Sequence, residues 1–242
     1  MGPSRVRTAL ACLLVACATL AACGGEGGPS ASPDPRELFI RALDRAMALQ
    51  SVHVTGRVEF QGAVLGAVSG TTFDADVDFG RGAIHAQGGA PSASPPQFEL
   101  VVAEGVWYRR DGNGWQRSGG GMIPMPAGDD IRSALSSFAT DDRLVVTSTE
   151  VTCGARTCHR LVATVPPDVV WERFAPVIRS LIYVPDEQPA DLAPVTVEVT
   201  ADALTSDPVH IEVVTTFGGA PAKLTIDGSA YDLPLSITPP VS

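Results

Sequence analysis

The stretch TTFDADVDF, residues 71–79, alternates without a break: Phe73, Ala75, Val77 and Phe79 are apolar, while Thr72, Asp74, Asp76 and Asp78 are polar. Successive side chains of a strand point to opposite faces, so a period of two predicts a strand with one face covered and one face wet. A helix would scatter the same residues around its axis. The preceding SVHVTGRVEF, residues 51–60, sets Val52, Val54, Val58 and Phe60 against His53, Thr55, Arg57 and Glu59 in the same way.

Outward from this pair, the pattern repeats. Gly80-Arg81-Gly82 turns the chain into GAIHAQ, and the loop GGAPSASPP leads to QFELVVA, a Glu104-Gly105 turn, VWYRR, a DGNG turn and WQR. Short polar or glycine-bearing turns between such runs read as a meander. Further on, RLVVTSTEVT and CHRLVATVP flank CGARTC as a hairpin, and PVTVEVTAD, PVHIEVVTTF and PAKLTIDG complete the strands. The tail YDLPLSITPP is expected to add a short edge segment, where proline is tolerated.

Three stretches switch to helical spacing. Asp34 is placed as an N-cap with Pro35 at the first helical position and Glu37 three residues after the cap, ahead of Leu38, Phe39, Ala42, Leu43, Ala46 and Met47 on one face. DDIRSALSSFA reads as a short helix, with the acid pairs Asp129-Asp130 and Asp141-Asp142 as solvated ends. PPDVVWERFAPVIRSLIYV is apolar over a wide arc, and Pro176 is expected to kink or divide it. The Gly/Pro-rich SGGGMIPMPAG carries Met122, Ile123 and Met125, which read equally as an adaptable binding loop or as plugs into a core.

The sum is an α+β domain of roughly nine to eleven antiparallel strands and two or three helices, without an internal repeat. A sheet of that size tends to curl. The expectation is therefore a strongly curved half-barrel with the helices covering its concave side.

The N-terminus carries Arg5 and Arg7, then an apolar run from Ala9 to Leu20, the layout of a secretory signal rather than a membrane span. It ends in Leu20-Ala21-Ala22-Cys23, which resembles the bacterial lipobox, where the cysteine takes a diacylglycerol and further acyl chains such as palmitate. An ordinary signal peptide with a chance cysteine is the alternative. The lipobox reading makes residues 1–22 a removed signal, residues 23–34 a flexible tether and residues 35–242 a single domain. It places the protein at the cell membrane, anchored on the extracytoplasmic face.

After loss of the two N-terminal arginines, 15 basic residues face 27 acidic ones, a net charge of −12. Nothing basic remains to hold phosphate backbones, so nucleic acid is excluded as a partner. An acidic body does not adhere to anionic lipid by charge either. Cys12 and Cys17 leave with the signal and Cys23 takes lipid, so Cys153 and Cys158 remain as a natural disulfide pair in an oxidising compartment. With His159 they would supply only a partial zinc site, and the spacing is not CxxC.

DADVD (Asp74, Asp76, Asp78) begins like a calcium loop, but Phe79 and His85 stand where an EF-hand needs Gly and Glu. No metal and no cofactor is implied. His53, His85, His159 and His210 sit in strand-like runs, outside any recognised nucleophile, zinc or phosphate-binding motif. The chain reads as a non-enzyme.

Several pieces in order along the chain carry a resemblance: the lipobox and tether, RAMALQSVHVTG, the Trp107-Tyr108 strand leading to Gly114-Trp115, Asp207-Pro208-Val209-His210-Ile211, and YDLPLSITPP. Together they resemble the LppX/LprG-type lipoproteins of actinobacteria, in the LolA-like superfamily. The resemblance implies an unclosed antiparallel barrel with helices across its mouth, holding an acylated lipid or glycolipid between sheet and helices. On that reading, Phe60, Phe73, Phe79, Phe98, Trp171 and Phe174 are the candidates for lining an apolar cavity. The alternative is an envelope module of the same fold that recognises a protein partner and transports no lipid.

Overall fold

The computed structural model describes residues 33–60, 70–91, 96–111, 113–118, 137–138, 140–179, 193–217 and 220–240. Helix α1 (Pro35–Ala48) comes first, followed by strands β1 (Ser51–Phe60), β2 (Thr71–Asp78), β3 (Ala83–Gly89), β4 (Phe98–Ala103), β5 (Val106–Asp111) and β6 (Gly114–Ser118). After β7 (Val145–Cys153) and β8 (Arg156–Val165) comes helix α2 (Pro167–Arg179). The chain ends with β9 (Val195–Asp202), β10 (Pro208–Phe217) and β11 (Ala220–Ser229).

Among the described residues, all eleven strands join one sheet, in the order β6-β5-β4-β3-β2-β1-β11-β10-β9-β8-β7. Two antiparallel meanders therefore grow outward from a central β1–β11 pair. That pair forms in register from His53 opposite Ser229 to Phe60 opposite Ala222. Tight turns drive each meander. Glu104 and Gly105 both have positive φ (53° and 75°), as a two-residue hairpin of the primed type requires.

The half-barrel expectation is not met. The sheet is open, and β6 and β7 are its two edges rather than partners. Alternation along a strand reports which residues face the core; it carries no information on how far successive strands rotate, and open sheets of this strand number are stable. Among the described residues, α1 lies over β7 to β10, on one side of the sheet's midline.

Helix α1 forms as its sequence dictates. The Asp34 carboxylate accepts the Arg36 N–H at 2.8 Å, Pro35 opens the first turn, and Phe39, Ala42, Leu43 and Ala46 are buried. Phe39 meets Phe138 edge-on, with ring centroids 6.3 Å apart. The core beneath it runs across both meanders through Val52, Val54, Ala75, Val77, Ile84, Val102, Leu161, Val199, Ile211 and Ile226. These are the inward positions of the two-residue alternation.

Three local expectations change. The tail Tyr231–Pro240 adds no strand among the described residues; its prolines remove ladder donors, and it is tied down by side-chain bonds and by one backbone bond, Asp232 N–H to the Ser51 carbonyl at 2.9 Å. Asp142 is solvated, but Asp141 is buried: its carboxylate accepts from Arg143 Nε at 2.9 Å and Arg143 Nη2 at 2.8 Å, and Arg173 of α2 reaches it at 3.3 Å. Arg143 also binds Asp168 and Glu172, both at 2.7 Å, so it clasps the 141–144 segment to α2. Pro176 does not divide α2, which continues to Arg179. The 118–128 loop with its two methionines lies outside the described residues apart from Ser118, as do residues 129–136 of the short helix and residues 180–184 of the second apolar stretch.

Candidate functional site

The sheet has two faces of different chemistry. On the inner face, below α1, the fully buried rows pass at one end of the strands into a strip that is apolar but only partly buried. Phe98 (β4), Phe73 (β2), Val58 (β1), Leu224 (β11), Val213 (β10) and Val197 (β9) make up this strip. Within it, glycines alternate with aromatics: Gly56, Phe73, Gly88 and Phe98 stand side by side across four strands. A Cβ on Gly56 would come within 2.6 Å of the Phe73 ring, and one on Gly88 within 2.6 Å of the Phe98 ring. Each ring thus occupies the place of its neighbour's missing side chain and covers bare backbone.

Of the six predicted lining residues, four have described side chains, and these fall in different places. Phe73 and Phe98 share the strip. Phe79 sits at the opposite end of β2, where its N–H donates to the Gln50 carbonyl at 2.7 Å and its ring packs against the core. Trp171 is partly buried on α2. The side chains of Phe60 and Phe174 lie outside the described residues, as does Cys23. Cys153 and Cys158 are joined across the β7–β8 turn with Cα atoms 6.0 Å apart, and Cys158 is buried.

The outer face is a lattice of ion pairs. Arg160 holds Glu198 through two bonds of 2.6 Å, Lys223 meets Glu212 at 2.6 Å, and Arg57 meets Glu59 at 2.7 Å. Three of the four histidines join it: His53 pairs with Asp76 at 2.9 Å, His85 with Glu99 at 3.1 Å and His210 with Asp227 at 2.7 Å. Burial acts to raise the Glu99 carboxyl, but the hydrogen bonds from Arg110 and His85 outweigh it and hold the group below its usual range. Glu198 is lowered chiefly by its hydrogen bonds from Arg160. Of the DADVD acids, Asp76 pairs in this lattice, Asp78 accepts the Arg81 N–H at 2.8 Å in the next turn, and Asp74 has only His53 Nε2 at 3.6 Å. Among the described residues no group of three or more His, Cys, Asp or Glu is arranged to hold a metal ion.

A cleft of about 660 Å³ opens on this outer face, over β11, β1, β2 and β3, with Ala90, Pro91 and Pro96 at one side. Thr55, Asp74 and Gln87 line it as direct cross-strand neighbours, with Thr225 and Lys223 beside them. The sequence reading missed it, because each of these residues alone is an ordinary polar position on a wet strand.

Three of the motifs that carried the resemblance converge at the other end of the sheet. Arg45 Nε donates to Asp207 at 2.6 Å and its Nη2 to Asp232 at 2.5 Å. Asp232 also accepts the Gln50 N–H at 2.7 Å, the Ser51 hydroxyl donates to the Leu233 carbonyl, and Tyr231 donates to the Pro208 carbonyl at 2.8 Å. This is a clasp that joins α1, the start of β10 and the C-terminal tail.

No protein-family model and no curated protein matches the chain. Solved structures do. The chain is similar to the Mycobacterium tuberculosis lipoprotein LppX at 15% identity and a TM-score of 0.51, over 86% of this chain and 100% of that one. It is similar to LprF from Mycobacterium bovis at 18% identity and a TM-score of 0.53, over 87% of this chain and 99% of that one. The chain has the LppX and LprF fold. The likeness is one of fold. Among the described residues, no helix is long and apolar enough to cross a membrane.

Proposed function

We propose that this protein is an exported lipoprotein, anchored through Cys23 on the extracytoplasmic face of the cell membrane, that binds a lipid or lipid-linked molecule against the inner face of its sheet. The observation that carries this reading is the apolar strip from Phe98 to Val197, which continues the core beyond its fully buried rows. Apolar surface left partly in water favours an apolar ligand, and each CH₂ buried against it contributes about 0.8 kcal/mol. The fold shared with LppX, itself a lipoprotein, agrees with an anchored protein. Carriage of the lipid between membrane and envelope would follow from reversible burial, with no catalytic step.

Phe73 and Phe98 are the lining residues on which this reading rests. Native mass spectrometry of the Cys23→Ser chain purified from a bacterial host, followed by organic extraction, tests it. A stoichiometric acylated adduct that is lost in Phe73→Ser/Phe98→Ser while the fold is retained is the expected result. A clean apo mass, unchanged after incubation with envelope lipids, would overturn it in favour of an envelope module that recognises a protein partner.

A further inference from the structure

The outer-face cleft and the apolar strip lie on opposite faces of the sheet, with Gly56, Phe73 and Gly88 of the strip also forming part of the cleft's lining. Its polar groups fall into two sets. One set is already engaged: Arg57 holds Glu59 at 2.7 Å, Lys223 holds Glu212 at 2.6 Å, Asp227 pairs with His210 at 2.7 Å, and the Thr72 hydroxyl donates to the Gly89 carbonyl at 3.3 Å. The other set is available. Among the described residues the side chains of Thr55, Gln87 and Thr225 have no hydrogen-bond partner, and Asp74 has only His53 at 3.6 Å.

These four groups identify the ligand class. Two hydroxyls and an amide each donate and accept, and a carboxylate accepts strongly. A phosphate or carboxylate ligand would meet the carboxylates of Asp74, Glu59 and Asp227, while both cations that line the cleft are already paired. An acyl chain would leave the whole row without water or a partner. A ligand rich in hydroxyls satisfies all four, because each hydroxyl donates and accepts at once. The wall formed by Ala90, Pro91 and Pro96 is apolar and suits the C–H face of a sugar ring, and the volume of about 660 Å³ lies in the range of small-ligand sites.

We infer that the outer-face cleft over β11, β1, β2 and β3 binds a neutral or amino saccharide. The site is independent of the lipid reading, and the two can fail separately. A saccharide attached to a membrane lipid and one in a soluble oligosaccharide present the same hydroxyls, so the test must part them.

The experiment uses the full-length chain with Cys23→Ser on an array of defined neutral, amino and acidic oligosaccharides, followed by calorimetric titration of the best binder. The expected result is binding of neutral or amino members and none of the acidic ones. Asp74→Ala and Gln87→Ala should each weaken it at least tenfold with the melting temperature unchanged, and saturating phospholipid should not compete. Three results would overturn the proposal: no member of the array binds, binding survives both substitutions, or only glycolipid micelles bind while the matching soluble oligosaccharide does not.

Discussion

Arg45, in the last turn of α1, donates from Nε to the Asp207 carboxylate at 2.6 Å across 162 residues of sequence, and its Nη2 holds Asp232 as well. One guanidinium thus fixes the helix, the β9–β10 turn and the tail. Arg45 and Asp207 are largely shielded from solvent, so removing the cation leaves two carboxylates short of a partner. Arg45→Ala should cost about 2 kcal/mol, read as a lower urea midpoint at unchanged slope. Arg45→Lys should recover only part of this, because a single ammonium cannot span both acids with a planar fork. Equal stability of Arg45→Ala and the parent would show that the clasp is ornamental.

The aromatic–glycine rows predict the opposite kind of defect, overpacking. A Cβ at Gly56 would meet the Thr225 carbonyl at 2.7 Å as well as the Phe73 ring, and neither backbone nor a packed ring gives way easily. Gly56→Ala and Gly88→Ala should each destabilise by about 1–3 kcal/mol. Phe73→Leu should relieve part of the Gly56→Ala cost in a double-mutant cycle, whereas Phe98→Leu should not. Purely additive energies for the Gly56/Phe73 pair would remove the argument that the ring covers the glycine.

How much of this was legible in the sequence differs by element. TTFDADVDF gave its two faces directly, because alternation is local, and Asp34-Pro35 marked the start of α1 for the same reason. The β1–β11 pairing was not legible, since hydrogen bonding between strands 170 or so residues apart leaves no local periodic trace. Curvature was overread from strand number alone. Asp141 was taken for a solvated helix end because nothing nearby in sequence shows that Arg173 would close over it. In the candidate site, Phe73 and Phe98 were recognisable as inward residues, but the cleft lined by Thr55, Asp74 and Gln87 exists only once three strands are set side by side.

The acid limb of stability should be steep and late. Arg143 and Arg173 hydrogen-bond the Asp141 carboxylate and hold it far below its usual range. Burial acts to raise Asp202 and Asp232, but hydrogen bonds from Thr205, Leu204 and Arg156 to the first, and from Gln50 and Arg45 to the second, leave both lowered. A carboxyl whose native pKa is depressed takes up protons in the unfolded chain first. Its contribution is therefore complete above an unfolded value of about 4 and is lost as pH falls toward the native value. Asp44, raised by burial, works against this trend. Urea midpoints should stay level from neutrality to about pH 5 and fall below about pH 4. Asp141→Asn should start lower and fall less. A parallel acid limb in that variant would mean that Asp141 takes no part.

The Cys153–Cys158 bond closes a loop with a sequence separation of only 5, at the tip of a hairpin already set by Gly154 with φ of 64°. Constraint of so short a loop in the unfolded chain is small, so Cys153→Ser/Cys158→Ala should cost about 2 kcal/mol or less. The position of Cys158 adds a second effect. It is fully buried and faces Asp202 across the β8–β9 ladder, and Asp202 in turn accepts the Leu204 and Thr205 N–H groups and a 3.0 Å bond from Arg156. A polar residue at 158 would disturb this corner, which is why alanine is the right replacement there. Cys158→Ser alone should therefore destabilise more than Cys153→Ser alone under reducing conditions, where neither can form the bond. Equal losses would show that the buried corner at Cys158 adds nothing beyond what Cys153 contributes.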